Sequence, residues 1–143
     1  MTTLADFMKL AQAEHTFVVV STTRADGTVQ SSVVNAGVMQ HDNNDVAVLV
    51  AAGGSVKLKH LRERPAITLT ARSGPMWATI EGTAQLVGPD DNSPGDEPLR
   101  LLLRAAFQAA GGTHDDWDEY DRVMKQDRRA VVFITPTRVY SNG

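Results

Sequence analysis

A chain of 143 residues, 42% hydrophobic and 22% charged, has the make-up of one globular domain, residues 1–143, with enough material to bury a core. It contains no cysteine, which excludes disulfides, thiolate metal sites and a cysteine nucleophile, and its net charge of −3 gives no global attraction for nucleic acid. No apolar run approaches the ~20 residues of a membrane span, and the first residues lack the basic start and hydrophobic block of a signal peptide, so a cytoplasmic location is expected.

Thr2-Thr3 is placed to cap a first helix whose apolar positions Leu4, Phe7, Met8 and Ala11 follow helical spacing. The β-branched run 16–23 then predicts a strand, and Asp26-Gly27 predicts a hairpin turn. The returning strand, 29–39, carries Gln30, Ser31, Ser32 and Asn35 among its valines. Those polar groups are either a wet face or a hydrogen-bonding wall for a ligand.

After the turn cluster 41–45, the run Val46-Ala47-Val48-Leu49-Val50-Ala51 reads as a buried strand. Gly53-Gly54-Ser55 turns it into a short helix that stops before Pro65. Ser55 stands where an N-cap is expected, and Lys57 follows within the first turn. Free peptide N–H groups plus a cation suit an anion such as a phosphate; the alternative is a surface helix with solvated lysines. On the helical wheel Lys57, His60 and Arg64 share a flank, with Leu58 and Leu61 toward the core.

Residues 66–71 predict a further strand, and 76–87 another, with Trp77, Thr79, Glu81 and Thr83 on one face and Gly82 marking a bulge. The acidic loop 88–96 leads to a helix expected from Pro98 and ended by Gly111-Gly112. Thr113 and Asp116 predict a capping box for a last helix with Trp117, Tyr120, Val123 and Met124 on its apolar face. The chain closes on the strand run 130–135 with Pro136, Val139 and Tyr140.

Six strands joined first by hairpins, without a β-α-β rhythm, predict a β-rich α+β fold: a six-stranded antiparallel barrel with peripheral helices. The four histidines are scattered, so no metal site is predicted, and no serine sits in a nucleophile-elbow frame. No acid–base apparatus and hence no catalytic side chain stands out. Any chemistry is therefore expected to belong to a cofactor.

The hairpin Asp26-Gly27, the polar strand 30–35, the block Gly53-Gly54-Ser55-Val56-Lys57, the stretch 77–84, the segment 114–120 and the ending 127–140 occur in an order and spacing that resemble a known group. They are similar to the flavin and deazaflavin oxidoreductases of the pyridoxamine-phosphate-oxidase-like split-barrel superfamily, above all the small actinobacterial reductases that use coenzyme F-420. The resemblance implies a split barrel that forms a homodimer with cofactor sites in the interface. It implies that Ser31, Ser32 and Asn35 line the flavin-like ring, and that Val50, Ala51, Gly54, Ser55 and Val56 wrap ring and ribityl chain. Lys57 would meet the phosphate, and Trp77 would approach the ring from the partner subunit.

Ser55 stands where FMN-binding relatives usually carry an arginine, which removes one fixed charge and is compatible with the deazaflavin phosphodiester. Lys59, Arg62 and Arg64 would attract its acidic tail. The function so implied is hydride transfer between F-420 and an unsaturated small organic substrate. The alternatives are an FMN-dependent oxidase or reductase, and a non-catalytic module binding a flavin, a deazaflavin or haem.

Overall fold

In the computed structural model, which describes residues 1–143, the first helix begins as Thr2-Thr3 predicts. The Thr3 hydroxyl accepts from the Asp6 amide at 3.1 Å while the Asp6 carboxylate accepts from the Thr3 amide at 2.9 Å, a reciprocal cap for α1 (Leu4–Ala13). Strand β1 (Phe17–Thr23) turns at Gly27, whose φ of +86° only glycine adopts freely, into β2 (Val29–Asn35). Strands β3 (Gly37–His41) and β4 (Asn44–Ala51) form a second hairpin, closed by Asp42 and Asn43 at φ +51° and +65°. There follow α2 (Val56–Glu63), β5 (Ala66–Ser73), β6 (Met76–Val87), α3 (Asp96–Ala109), α4 (Trp117–Gln126) and β7 (Ala130–Ser141).

The expected six-stranded barrel is instead one open antiparallel sheet of seven strands, in the order β2-β1-β5-β6-β7-β4-β3. The difference arises at Ala36, where the predicted strand 29–39 divides in two. Ala36 is fully buried, and its amide still donates to the Thr16 carbonyl at 3.1 Å, one register step beyond the Phe17–Asn35 pair. Next to it, Gly37 is pressed against the Ala109 carbonyl at the end of α3, with no room for a Cβ. That contact steers the chain out of the β1 ladder and into pairing with β4. Since β2 and β3 lie at opposite edges yet are one residue apart, the sheet has to roll until its edges nearly meet.

No ladder closes the roll. The β3–β4 register ends at Gly37 opposite Val48, so Leu49, Val50 and Ala51 have a free backbone edge on that side. Inside the roll, Phe7, Val20, Leu49, Leu58, Leu69 and Ile80 build the larger core. Outside it, α3 and α4 cover Val48, Val131 and Phe133 with Leu99, Leu103 and Tyr120.

One local expectation gains its cause and two change. The predicted bulge at Gly82 is present, and its cause is Pro136 directly opposite: a residue without an N–H cannot continue the ladder. The third helix starts at Asp96, two residues before Pro98, because the first-turn amides have no intrahelical partner and proline is tolerated anywhere among them. The last helix is capped by Asp116, whose side chain accepts from the Glu119 amide at 3.2 Å, and not by a box on Thr113.

Candidate functional site

The site grows out of the turn that carries β4 into α2. The Gly53 amide donates to the Asp127 carbonyl at 3.0 Å, and a Cβ on Gly53 would lie 2.6 Å from the Arg128 carbonyl oxygen, so the approach of the β7 lead-in requires glycine there. Gly54 faces open space. Ser55 occupies the N-cap position with extended backbone angles, but its hydroxyl makes no capping bond, and Oγ is sealed from solvent without a partner. A buried hydroxyl lacking its hydrogen bond is costly unless something else fills the role.

Lys57 projects from the first turn of α2 into a cavity of about 130 Å³ that it shares with Val20, Thr22, Gln30, Ser32 and Val56. It forms no ion pair. Burial, and then the nearby charge of Arg129, hold its ammonium below the usual lysine range. Gln30 adds a second sealed atom, its amide oxygen, with no donor in reach. At about 30 Å³ per water, the cavity has the room of roughly four waters or one phosphate-sized group. A cation without a counter-ion, neutral hydroxyls and an amide around such a space fit an oxyanion. The residues present therefore suit the phosphate of a cofactor, whereas its ring has to lie outside the cavity, since pockets for whole ligands run from ~300 Å³ upward.

The chain brings together some of the expected site residues and separates others. Ser32, Val56 and Lys57 converge on the cavity, Ser55 stands beside them at the helix start, and Val50 and Ala51 lead in along the free edge of β4. The side chain of Ala51 is buried in the inner core, so only its backbone is open to a ligand. Ser31 and Asn35 lie on the opposite face of β2, as strand alternation demands. The Ser31 hydroxyl is 2.8 Å from that of Ser21, and the Asn35 amide donates to the His15 carbonyl and the Thr16 hydroxyl.

Trp77 is far from Lys57 within one chain. Val20 on the cavity wall is in register with Leu69 and so with Ile80, three residues or roughly 10 Å along β6 from Trp77, which projects from the other face. It rests edge-on against Tyr140, centroids 6.1 Å apart. Only a second chain can bring a Trp77 to this cavity.

The α2 flank also differs from the helical wheel. His60 is turned inward, 8% exposed, with Nδ1 2.9 Å from the Thr22 hydroxyl. Arg62 forks onto Asp91 through two 2.8 Å bonds, and Arg64 donates to the Thr23 carbonyl and to Glu63. Both arginines are thus committed within the chain, leaving Lys59 as the free cation of that trio for an acidic tail. The sequence places His60 on the flank of Lys57 without a partner, does not point to Thr22, and leaves Gln30 as one polar residue among four. Gln30 was findable, because it stands two residues from Ser32 and so shares its face; Thr22 and His60 meet only through the packing of α2 on β1.

A wider cleft of about 560 Å³ lies between α3, α4 and the loop around Pro89 and Ser93. Its charges largely satisfy one another: Asp121 accepts from Arg100 and Arg104, Glu97 pairs with Arg100, and Lys125 stands 3.8 Å from Asp96. Size alone does not make it the site, and the uncompensated charge is at Lys57. The four histidines serve locally: besides His60, His41 stacks on Phe133 at 3.8 Å and His114 accepts from the Asp116 amide, while the His15 carbonyl receives Asn35.

A rolled, open antiparallel sheet flanked by helices, with a cation-lined cavity at the end of its seam, defines a class of small α+β folds. The family model described as pyridoxamine 5'-phosphate oxidase matches residues 4–143, and the chain belongs to that flavin-binding oxidoreductase family. Solved structures share the fold. A conserved hypothetical protein from Mycobacterium tuberculosis superposes with a TM-score of 0.68 at 18% identity, over 94% of this chain and 82% of that one. An F-420 reductase gives 0.60 at 13% identity, over 87% and 88%. An FMN-binding, pyridoxamine 5'-phosphate oxidase-related protein from Nostoc punctiforme gives 0.69 at 9% identity, over 96% and 82%. At such identities the likeness is one of fold.

Proposed function

We propose that this protein is a reductase that passes a hydride between coenzyme F-420 and an unsaturated small organic molecule. The observation that carries the reading is that Lys57, a partly buried cation without an ion pair, lines a phosphate-sized cavity at the start of α2. One lysine with hydroxyls around it matches the single charge of a phosphodiester better than the near-double charge of a terminal phosphate. When bound, the deazaflavin supplies the hydride. The chain's own residues bind and orient: Lys57 and the first amides of α2 hold the phosphate, Ser32, Thr22 and Gln30 offer hydrogen bonds, and the free edge at Val50 and Ala51 lies along the seam where a ring would rest.

The reading includes a homodimer. The outer face of β1 and β2 exposes Phe17, Val19, Val29 and Val33 at 42% to 63% of their surface, and in register Val19 is followed across that face by Thr70, Thr79 and Tyr140, with Trp77 two residues from Thr79 on β6. Exposed apolar surface of this kind marks a contact face. A second copy seated there supports the expectation that Trp77 serves the partner's site.

A second reading, an FMN-dependent oxidase or reductase, is favoured by Arg129. Its charge reaches Lys57, and although its Nη2 lies 3.4 Å from Asp127, its Nε is sealed without a partner, so it stands near as a second cation. Titrating the apoprotein with both cofactors, followed by tryptophan fluorescence and difference absorbance, separates the two. Micromolar binding of the deazaflavin with much weaker binding of FMN is expected; tighter binding of FMN overturns the assignment.

A further inference from the structure

We infer that His60 is a positioning residue for the phosphate site: by carrying its proton on Nδ1, it makes the Thr22 hydroxyl donate into the cavity. The inference rests on the phosphate reading of the Lys57 cavity given above. Thr22 lines that cavity, and its Oγ1 lies 2.9 Å from His60 Nδ1. Both side chains are buried, Thr22 to 3% and His60 to 8% exposure.

A threonine hydroxyl has one proton to give and two lone pairs to offer. If it donates to Nδ1, only lone pairs remain for the cavity, and these repel an anion held by Lys57. If Nδ1 carries the proton and donates to Oγ1, the hydroxyl proton is released to point at the anion. The two arrangements have the same heavy-atom geometry and opposite consequences for the ligand. Nothing else in the fold decides between them, because Nε2 of His60 has no hydrogen-bond partner in the protein and is not one of its sealed polar atoms. The tautomer is therefore open to the influence of an anion in the cavity.

His60 touches no ligand in this scheme. It acts through Thr22, as second groups orient the first contacts of a site elsewhere in protein chemistry. The direction of one hydroxyl changes a charge-assisted hydrogen bond into a repulsion, which sets the size of the expected effect.

Inorganic phosphate is the probe. In the parent protein, long-range proton–nitrogen NMR of the labelled imidazoles should show the His60 Nδ1 protonated in the phosphate-bound form. An Nδ1 that stays unprotonated when phosphate is bound overturns the proposal without any variant. His60→Leu should weaken phosphate binding about ten- to hundredfold, and His60→Asn, whose amide can place an N–H near the position of Nδ1, should restore it to within about threefold. Undiminished binding by a folded His60→Leu protein overturns the relay alone. Lys57→Ala tests the underlying reading: phosphate binding that survives it places the anion elsewhere, and the relay falls with the site.

Discussion

Gly82 and Pro136 face each other across the β6–β7 ladder at the point where its register shifts. Proline supplies no amide there, and Gly82 has the Thr135 carbonyl so near that a Cβ would overlap it and lie 2.7 Å from Ile134 Cγ2. The two strands close over each other because one residue lacks a donor and the other a side chain. Gly82→Ala should therefore destabilise the fold by about 1–3 kcal/mol, as overpacking does. Urea unfolding would show a lower midpoint with an unchanged slope. An unaltered midpoint would mean that the bulge relaxes freely.

Tyr120 joins α4 to α3 by donating its hydroxyl to the Leu103 carbonyl at 3.0 Å, and it is 5% exposed. Burial pushes its phenol up to about 12 from an ordinary 10.0. A raised folded value contributes stability fully present below pH 10.0, lost as pH rises toward 12. Tyr120→Phe should cost about 0.5–1.5 kcal/mol at neutral pH and weaken the alkaline fall in stability over that window. The tyrosinate absorbance checks this directly. The other tyrosine, Tyr140, is also raised, by its bond to Glu81, so little tyrosinate should form near pH 10 while the protein is folded.

Most of the elements were legible because their causes are local. Thr3 and Asp6, the positive-φ turns at Gly27 and Asn43, and the bulge at Gly82 act within a few residues of where they stand. The division at Ala36 was not, since it depends on Gly37 meeting the far end of α3. The same holds for the site. Lys57 could be found from a strand, a glycine turn and a helix start in sequence. Ser31 and Ser32 could not both line one cavity, because neighbouring strand residues take opposite faces, and Thr22 with His60 meet only once α2 has packed on β1.

The proposed dimer face gives a prediction independent of the cofactor. Val33 is 63% exposed and sits opposite Val19, itself 42% exposed, on the outer face of the sheet. A lysine there would remain comfortably in water in a monomer, but in an interface it would bring an unpaired charge out of solvent. Val33→Lys is expected to shift the protein from dimer to monomer in sedimentation at micromolar concentration, with the circular dichroism of the fold kept. Sedimentation of the parent as a clean monomer would remove the shared-site arrangement, and a dimeric Val33→Lys protein would move the interface to another face.

Lys57 provides the sharpest separation of binding from folding. Its ammonium is held below the usual range by burial first and by Arg129 second, with no carboxylate in compensation. The unfolded chain therefore binds this proton more tightly than the folded one. The group subtracts from stability at neutral pH, and the deficit is relieved only as pH rises through the folded value toward the ordinary 10.5. Lys57→Ala should leave the unliganded protein as stable as the parent or slightly more so. Cofactor binding should nevertheless weaken about ten- to hundredfold, the loss of one charge-assisted hydrogen bond of ~1.5–3 kcal/mol. Lys59→Ala, which removes an exposed charge from the same helix, should change binding far less. Thermal melts and cofactor titrations of the two variants, run side by side, check both halves. Equal losses of affinity would point to a diffuse basic surface, and a destabilised Lys57→Ala protein would show that the lysine has a structural partner in the fold.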